Sequence, residues 1–585
     1  MSAILGVSGL AESVRFKREH WPGLDEREYR ILQGFDAAAA LVVDGAVVAA
    51  AAEERFNRHK QTGDFPVQAI AYCLEQAGLS LADVDEIAHC FDYAPFGEIF
   101  SLDVTSAMLY EEVFSRHALL AQITRHCPQF PDERVHQVSH HLSHAASAYF
   151  TSGWDECLVV VLDAMGETQS GSIFLGRDGH LDKLHEISAN DSIGILYSLV
   201  TYHLGFDFNS DEYKIMGLAP YGDPHQFEGV FQQILECRAD GTVRIPILRL
   251  NRTRDERENY LRTREWLSRN LTSPRDPGDE ITQVHRDVAA ALQAALNRAI
   301  LHICGHFGAS TGMRKIAMAG GVALNCSANG KLTRSGLFDE VYVQPAAGDD
   351  GAALGAALHR ASLKGEVTNQ RFRVPFLGPS HPSSETDAAF KAFADAIKVT
   401  RFGSVEETCE RAAKMIHDGK VVAWHRGRME YGPRALGNRS ILADPSNPEM
   451  RDRVNAMVKK REAFRPFAPA VSIEEVHRWF DVAPMTALPY MIATVNVRQE
   501  YRATLTAITH VDGSARVQTV AAHDNPAFHT LLKAVGRATG REIVLNTSFN
   551  VKGQPIVNTP LEALETFLGT GIDCLFIEDN LVSRA

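Results

Sequence analysis

Three histidines recur at four-residue intervals in the segment VHQVSHHLSHAASAYF, residues 135–150. On a helix, His136, His140 and His144 would be stacked along one face, and two imidazoles four residues apart can bind one metal ion. For an isolated HxxxH the more common alternative is a packed helix face with one hydrogen-bonded histidine. Residue 141 is His where a zinc-peptidase motif needs Glu, which excludes that class.

Carboxylates and glycines follow several apolar strands. Asp163 ends the apolar run in VVVLDAMGE, a position where actin-like and hexokinase-like ATPases carry a phosphate-facing carboxylate; a turn or helix-capping aspartate is the equal alternative. The segments 318–332 and 345–358 contain glycine-rich strand-to-helix turns whose N–H groups could approach a nucleotide. They match neither the P-loop nor the Rossmann pattern, and the sequence has no GxSxG motif.

Arginines are concentrated in the C-terminal half. From His425 to Arg465 there are ten Lys/Arg and five Asp/Glu, a local charge of +5 in a chain whose net charge is -14. Arg434, Arg439 and Arg465 stand among Gly, Pro, Phe and Ala, a context typical of forks for phosphate or carboxylate groups. Further on, 541–549 is an apolar strand whose final Asn and Ser can supply neutral donors to an anion.

Composition narrows the class of protein. The 59 basic and 73 acidic side chains argue against a general nucleic-acid backbone binder. Nine dispersed cysteines form no CxxC pair, which disfavours a zinc ribbon and fits reduced thiols in the cytoplasm. The start shows no signal-peptide pattern, and Asp44-Gly45 divides the apolar stretch 37–52 into a hairpin, so we expect a cytoplasmic protein without a membrane span.

Strand and helix patterns alternate, which predicts α/β layers. A composition break near 366–385 predicts two modules, 1–370 and 371–585. The predicted strands are 3–7, 40–50, 157–166, 315–321 and 341–345, then 420–425 and 541–549. The predicted helices are 67–79, 284–307, 405–417 and 447–461.

Taken in order, these segments resemble the NodU/CmcH family of O-carbamoyltransferases. The resemblance extends over nearly the whole chain. It rests on VDGAVVAAAAEERFNRHK, HHLSHAASAYF, LDAMGE, EYKIMGLAPYGDP, MAGGVALN, GDDGAALGAAL, GPRALGNRSILADP, KKREAFRPFAPAV and NTSFNVKG. It implies an N-terminal actin-like/hexokinase-like (TsaD-like) module of two subdomains and a C-terminal YrdC-like α/β module.

The resemblance also implies a reaction and its residues. Carbamoyl phosphate and ATP with Mg would give carbamoyl-adenylate in the second module, and the first would transfer the carbamoyl group to a hydroxyl of a specialised metabolite. Neither nucleic acid nor membrane is an expected partner, and we expect a monomer or homodimer. The implied ligands of Fe(II) or another divalent metal are His140, His144, Asp163 and Asp349. The implied adenylate-binding residues are Lys214, Gly320, Gly321, Asn325 and Gly351. The implied carbamoyl phosphate and ATP pocket is Arg434, Lys459, Arg465, Arg516, Asn546 and Ser548. Of all these, Arg434, Lys459, Arg465, His140 and His144 are the expected catalytic residues.

One departure concerns the acceptor. The family usually begins its first hairpin with His-Asp, whereas this chain has Phe35-Asp36; His59, His141 or the metal alone would then have to replace a general base. The preceding segment 20–34 is also longer than the common pattern. Two other functions stay open: a fused tRNA threonylcarbamoylation enzyme, and a catalytically inactive actin-like nucleotide-binding regulator. The sequence does not name the acceptor.

Overall fold

The computed structural model describes residues 2–367, 369, 372 and 375–585. The chain forms two compact units, Met1–Glu53 with Gln61–Phe372 and Glu54–Lys60 with Arg373–Ala585. The short segment 54–60 thus belongs to the second unit although it lies early in the sequence. The module boundary predicted between residues 370 and 371 falls outside the described residues.

Two five-stranded sheets form the first unit, together with a two-stranded ribbon. Its strands are β1 Ala3–Val7, β2 Ala38–Val43, β3 Ala46–Ala52, β4 Glu86–His89, β5 Val135–Gln137, β6 Glu156–Gly166, β7 Gln169–Arg177, β8 His180–Ser188, β9 Glu236–Cys237, β10 Val243–Arg244, β11 Lys315–Ala319 and β12 Glu340–Val343.

The two sheets have the same topology. The first has the order β3-β2-β1-β4-β5 and the second has β8-β7-β6-β11-β12. In each, the first three strands of the chain run as an antiparallel meander, and the last two lie parallel to the first. The predicted hairpin is confirmed, because Asp44 and Gly45 both have positive φ (48° and 76°) and form its tight turn.

The helices up to residue 363 belong to the first unit, except α2 Glu54–Asn57, which lies in the segment 54–60 of the second unit. They are α1 Ser13–His20, α2 Glu54–Asn57, α3 Val67–Ala77, α4 Gly97–Phe100, α5 Val104–Leu109, α6 Arg116–His126, α7 His140–Ser152, α8 Ile193–His203, α9 Glu212–Leu218, α10 Glu228–Ile234, α11 Arg254–Glu258, α12 Leu261–Asn270, α13 Gln283–Thr311, α14 Cys326–Arg334 and α15 Asp349–Leu363.

Small residues let α15 approach its neighbours closely. A Cβ on Gly6 would lie 1.9 Å from the backbone oxygen of Ala353, and a Cβ on Gly355 would lie 1.7 Å from that of Ser143. These positions therefore admit only glycine. The consequence is that α15 packs tightly against both β1 and α7, which fixes the start of α15 relative to the start of α7.

His136 does not lie on the helix, so that part of the prediction was wrong. It belongs to β5, which pairs in parallel with β4, and α7 begins only at His140 after Ser139. Pairing with a strand of the sheet holds residues 135–137 extended and prevents the helix from beginning earlier.

Helix α13 is long and apolar enough to cross a membrane by the measure of length and composition, the one helix of that kind among the described residues. However, 72% of its most apolar window is buried inside the protein. It packs against α8, α9 and α14. We therefore assign α13 to the buried core of the first unit.

The second unit is built on an eight-stranded mixed sheet of order β13-β22-β21-β14-β15-β20-β16-β19, with β17 and β18 as a separate ribbon. Apolar clusters pack on it around Trp424 and Trp479. The strands are β13 Ile397–Arg401, β14 Val422–His425, β15 Arg439–Ala443, β16 Ala468–Ser472, β17 Thr494–Asn496, β18 Ser514–Arg516, β19 Gln518–Val520, β20 Ile543–Ser548, β21 Cys574–Ile577 and β22 Asn580–Arg584. The helices are α16 Ser383–Ala392, α17 Val405–His417, α18 Met450–Val454, α19 Val476–Trp479, α20 Pro526–Thr539 and α21 Pro560–Leu568.

The helix predicted at 447–461 is shorter and irregular. It comprises α18 and then a π-helical turn, Asn455–Lys459, and it ends at Lys460 with a φ of 43°. π-Turns are uncommon and often occur at functional sites. Here the wider turn ends on Lys459, which faces the end of β20.

Candidate metal centre and anion pocket

Four of the residues singled out in the first unit form one buried cluster. His140 Nε2 lies 3.3 Å from an oxygen of Asp163 and 3.3 Å from an oxygen of Asp349. His144 Nε2 lies 3.1 Å from His140 Nε2 and 3.6 Å from the Asp349 oxygen. The four ligand atoms lie within 4.8 Å of one another, so a single ion between them would touch all four.

Backbone geometry brings these side chains together. Asp163 lies where the pairing of β6 with β7 becomes irregular, between Leu162 and Gly166. Gly321 N donates to the other Asp163 oxygen at 3.1 Å, which leaves Oδ2 to face the histidines. A Cβ on Gly166 would lie 2.5 Å from His140 Cδ2, so the imidazole occupies the space that this glycine leaves open.

Neighbouring groups fix the orientation of His140. Its Nδ1 lies 3.2 Å from the Cys90 carbonyl oxygen, an acceptor, so that nitrogen carries the proton and Nε2 is left as a ligand. The ring of Phe91 stacks on the imidazole at 4.2 Å. The Glu167 carboxylate accepts a hydrogen bond from the backbone N–H of His140 at 2.9 Å, and burial raises the pKa of Glu167 to about 7.

The charges in the cluster depend on one another. Burial alone would lower the pKa of His140, but the carboxylates of Asp349 and Asp163 outweigh it and raise that pKa well above its ordinary value. Burial opposes ionisation of Asp163 and Asp349 as well, and their histidine partners nevertheless hold both carboxyl pKa values low. Two buried carboxylates thus need a positive charge beside them.

These residues fit a divalent metal ion. Two imidazole nitrogens and two carboxylate oxygens form a donor set that suits Fe(II), Zn(II) and similar ions, and two carboxylates balance the charge of such an ion. His144 Nδ1 is buried and has no hydrogen-bond partner within the described part of the chain. The cluster therefore can hold a metal, with His140, His144, Asp163 and Asp349 as its ligands.

The implied nucleotide-binding residues comprise three glycines at close backbone contacts and two polar residues elsewhere in the first unit. Gly320, with a φ of 90°, and Gly321 adjoin Asp163; a Cβ on Gly320 would lie 2.3 Å from Leu162 O. Gly351 is in the first turn of α15, where a Cβ would lie 1.8 Å from the Ala346 oxygen. All three glycines therefore have a packing reason as well as a possible binding role.

The other two members have polar partners of their own. Asn325 caps α14 by accepting from Ala328 N at 3.0 Å and exchanges hydrogen bonds with Gln293. Lys214, on α9, is mostly buried and forms an ion pair with Asp211 at 2.7 Å. A nucleotide would have to compete with these contacts.

In the second unit, Lys459 and Ser548 meet at the end of β20. Lys459 Nζ donates to the Ser548 carbonyl oxygen at 2.5 Å and to Asn550 Oδ1 at 2.7 Å. Burial lowers the pKa of Lys459 well below its usual range, and the charges of Arg461, Arg465 and Lys60 lower it further. Crowded cations of this kind would be stabilised by an anion.

The loop that carries Arg434 lies against the same strand. Asn546 Nδ2 donates to the Ala435 oxygen at 3.3 Å and to Gln518 Oε1 at 2.9 Å. Asn546 Oδ1 is buried and has no partner among the described residues. Arg516 ends β18, two residues before Gln518, and Arg465 lies 3.6 Å from Glu462. Lys459 and Ser548 are thus in contact, Arg465 lies near Lys459, and Arg434 and Arg516 lie on the loop before β15 and at the end of β18.

Arg439 has a structural role and is not a phosphate fork, contrary to the sequence interpretation. Its side chain is fully buried, and its guanidinium donates to the backbone oxygens of Pro379, Arg426, Gly427, Asn438 and Asn558 at 3.0–3.3 Å. Burial lowers its pKa to about 10. Arg439 therefore holds the loop 426–438 in place, and its buried guanidinium, already bound to backbone oxygens, is not available to a ligand.

Near the departure from the family pattern, Phe35 is buried and the Arg30 guanidinium lies 4.9 Å from its ring centre. His141, one of the alternative bases, is buried with Nδ1 2.9 Å from Ser172 Oγ, and burial lowers its pKa to about 3. His141 therefore stays neutral. The sequence did not point to Cys90, Phe91 or Gln518 as parts of either site; Glu167, by contrast, lies in the LDAMGE motif.

The chain belongs to the carbamoyltransferase family. The family model described as Carbamoyltransferase N-terminus matches residues 32–94 and 92–358, and the one described as Carbamoyltransferase C-terminus matches residues 413–584. Together they cover most of the chain and both candidate sites. The protein is therefore an enzyme of the NodU/CmcH carbamoyltransferase family.

Among its relatives is Nodulation protein NolNO of Sinorhizobium fredii, 40% identical over 94% of this chain and 79% of that protein. Another is the 3'-hydroxymethylcephem-O-carbamoyltransferase of Amycolatopsis lactamdurans, 34% identical over 46% of this chain and 48% of that protein.

Two solved structures show a weaker likeness. Full-length HypF in its phosphate- and nucleotide-bound form is 12% identical, over 62% of this chain and 55% of that one, with a TM-score of 0.32. A ROK family glucokinase from Streptomyces griseus is 12% identical, over 61% and 98%, with a TM-score of 0.27. TM-scores this low decide nothing about fold or function.

Proposed function

We propose that the protein is an ATP-dependent O-carbamoyltransferase that uses carbamoyl phosphate and acts through carbamoyl-adenylate on a hydroxyl of a specialised metabolite. Water first cleaves carbamoyl phosphate to carbamate and phosphate. A carbamate oxygen then attacks the α-phosphorus of ATP and expels pyrophosphate. The acceptor hydroxyl finally attacks the carbamoyl carbon, loses its proton and releases AMP.

The second unit is the proposed place of the first two steps. Arg434, Arg465 and Arg516 supply guanidinium groups for the phosphate oxygens, and Lys459 supplies a buried ammonium group. Asn546 and Ser548 add neutral donors. The crowding of cations around Lys459 supports this role, because bound phosphate would relieve the strain that their mutual repulsion creates.

The first unit is the proposed place of carbamoyl transfer. A divalent ion held by His140, His144, Asp163 and Asp349, Fe(II) in our proposal, supplies Lewis-acid chemistry when bound. The Cys90 carbonyl accepts a hydrogen bond from His140 Nδ1 and so turns Nε2 toward the ion, which replaces the proton there, and Glu167 holds the start of α7. The backbone at Gly320, Gly321 and Gly351, together with Lys214 and Asn325, binds the adenylate.

The duplicated sheet topology of the first unit supports an actin-like module of two subdomains, and we propose a YrdC-like module for residues 371–585. We place the enzyme in the cytoplasm as a monomer or homodimer that binds neither nucleic acid nor membrane. The observation that carries the proposed function is the convergence of all four implied metal ligands in one buried cluster of a carbamoyltransferase-family chain.

Release of pyrophosphate and phosphate tests the proposal. The purified chain with ATP, Mg and carbamoyl phosphate should release both, and omission of carbamoyl phosphate should abolish the pyrophosphate. Arg434→Ala should lose the release, while Arg411→Ala, at an exposed position on α17, should keep it. Pyrophosphate that does not depend on carbamoyl phosphate would contradict the proposal, and retention of tRNA at physiological salt would favour the threonylcarbamoylation alternative.

A further inference from the structure

A partly open pocket lies in the first unit at the carboxyl ends of β1, β4 and β5. Residues 9–11 line it directly after β1, His89 and Phe91 line it at the end of β4, and Gln137 does so at the end of β5. These three strands are parallel. Open α/β sheets bind ligands beyond the carboxyl ends of their parallel strands, which makes the pocket a candidate binding site.

Aromatic rings form much of its wall. Phe65, Phe91, Tyr93 and Phe114 all line the pocket. Tyr93 stacks on Phe114 with ring centres 4.0 Å apart and the planes inclined by 8°, and it also lies 6.1 Å from Phe91 in a nearly parallel orientation. Walls of this kind bind apolar groups and exclude hydrated ones.

The charged groups of the lining are already compensated. Arg15 lies 2.7 Å from a Glu12 oxygen and 3.4 Å from a Glu112 oxygen, so it pairs with both carboxylates of the pocket. Gln122 donates to Glu12 as well, at 2.9 Å. Burial lowers the pKa of His89, which therefore stays neutral. A charged ligand would gain little here, whereas an apolar one would cover the aromatic walls.

One ring separates this pocket from the metal centre. Phe91 lines the pocket and stacks on the imidazole of His140 at 4.2 Å. Tyr93 donates its hydroxyl to Gln33 Oε1 at 2.8 Å, and the same oxygen accepts from Glu167 N. A molecule seated in the pocket is therefore held beside the ligand cluster.

Exposed large apolar side chains are concentrated just before the wall that carries Phe114. Ile99, Leu102, Val104 and Met108 are 40–83% exposed within ten residues. Exposed apolar groups in such density mark a binding surface more often than isolated ones do. This segment adds apolar surface next to the residues that line the pocket.

We propose that the pocket holds an apolar arm, aromatic or alkyl, of the hydroxyl-bearing acceptor, and that it makes the enzyme prefer such acceptors over fully polar sugars. This assignment rests on the proposed carbamoyl transfer. The enclosed volume of about 30 Å³ has room for about two water molecules, so the pocket, which is partly open, takes up only the end of the arm, and the rest of the arm lies outside it. A sugar ring would lose its hydration against the aromatic walls without gaining partners.

Saturation-transfer NMR with the full chain tests the pocket without any turnover. The probes are phenethyl alcohol, hexyl alcohol and methyl glucoside. Ala118→Phe fills the pocket from α6, where Ala118 lines it; Ala121→Phe is the matched control, because Ala121 is exposed on the same helix and is not part of the lining. We expect transfer to one or both alcohols in the wild type and in Ala121→Phe, and its loss in Ala118→Phe.

Transfer to phenethyl alcohol alone would identify an aromatic arm, and transfer to hexyl alcohol alone an alkyl arm. No transfer to either alcohol in the wild type, equal transfer to methyl glucoside, or unchanged transfer in Ala118→Phe would overturn the assignment. Pyrophosphate release by the wild type is measured in parallel. Its absence counts against the proposed function, while alcohol binding lost only in Ala118→Phe would still support the pocket.

Discussion

Two arginines five residues apart in the second unit have different expected roles, one in stability and the other in activity. Arg439 is fully buried and its guanidinium donates to five backbone oxygens, whereas Arg434 is partly exposed in the loop that faces Asn546. We predict that Arg439→Met destabilises the protein and that Arg434→Met removes activity with little loss of stability.

The size of the effect follows from the contacts. A net hydrogen bond to a charged group contributes about 1.5–3 kcal/mol, and buried oxygens left without a donor add a desolvation penalty. Five such contacts do not add fully, so we take about 4 kcal/mol for Arg439→Met, in the range for a broken buried polar network. That corresponds to a roughly 1000-fold shift of the unfolding equilibrium. For Arg434→Met we expect a loss of less than about 1 kcal/mol.

Hydrogen-exchange mass spectrometry can measure how each substitution changes the stability of the second unit separately from the first. Amides of β14 and β15, which pair around Trp424 and Ser440, should lose their protection in Arg439→Met and keep it in Arg434→Met. Pyrophosphate release is assayed on the same preparations. A stable but inactive Arg439→Met would refute the structural role and restore Arg439 as a phosphate ligand.

Three further predictions concern the first unit. Gly166→Ala puts a methyl group 2.5 Å from His140 Cδ2, so titration of the apoprotein should show metal affinity reduced about 10–100-fold, and unchanged affinity would count against the cluster. Gln33→Leu removes three hydrogen bonds and should lower the free energy of unfolding by about 2–4 kcal/mol, whereas Tyr93→Phe, which removes one of them, should lower it by about 1 kcal/mol. If the two losses added exactly in the double variant, Gln33 and Tyr93 would not share a hydrogen-bond network. Burial lowers the pKa of Lys17 to about 8, so the unfolded chain binds that proton more tightly, and wild type should gain up to about 3 kcal/mol over Lys17→Met as the pH rises from about 8 to 10.5. If the difference in unfolding free energy between wild type and Lys17→Met did not change with pH, a lowered pKa of Lys17 would be excluded.

Local periodicity predicted part of the metal centre. A four-residue interval places His140 and His144 on one helix face wherever a helix forms, so their proximity was predictable from the sequence. Asp163 and Asp349 are far apart in the chain, and their assignment came from the family resemblance. The prediction for His136 was wrong because the same four-residue spacing continues into β5, and spacing alone does not show where a helix begins.

In the second unit, composition located the basic stretch but did not show what each arginine binds. Charge counting found the basic stretch 425–465, but an arginine that binds phosphate and one that binds backbone oxygens have the same composition around them. Only the carbonyl oxygens around Arg439 separate the two roles. The inclusion of residues 54–60 in this unit was equally hidden, because a chain excursion of seven residues leaves no periodic signal.

The most direct test of the central claim is rapid-quench mass spectrometry for carbamoyl-adenylate in two variants. With carbamoyl phosphate, ATP and Mg, His144→Ala should form carbamoyl-adenylate and transfer no carbamoyl group, because adenylate formation belongs to the second unit. Lys459→Ala should form none, although hydrogen exchange shows it folded. Carbamoyl-adenylate absent from His144→Ala, or present in Lys459→Ala, would contradict the assignment of the two steps to the two units.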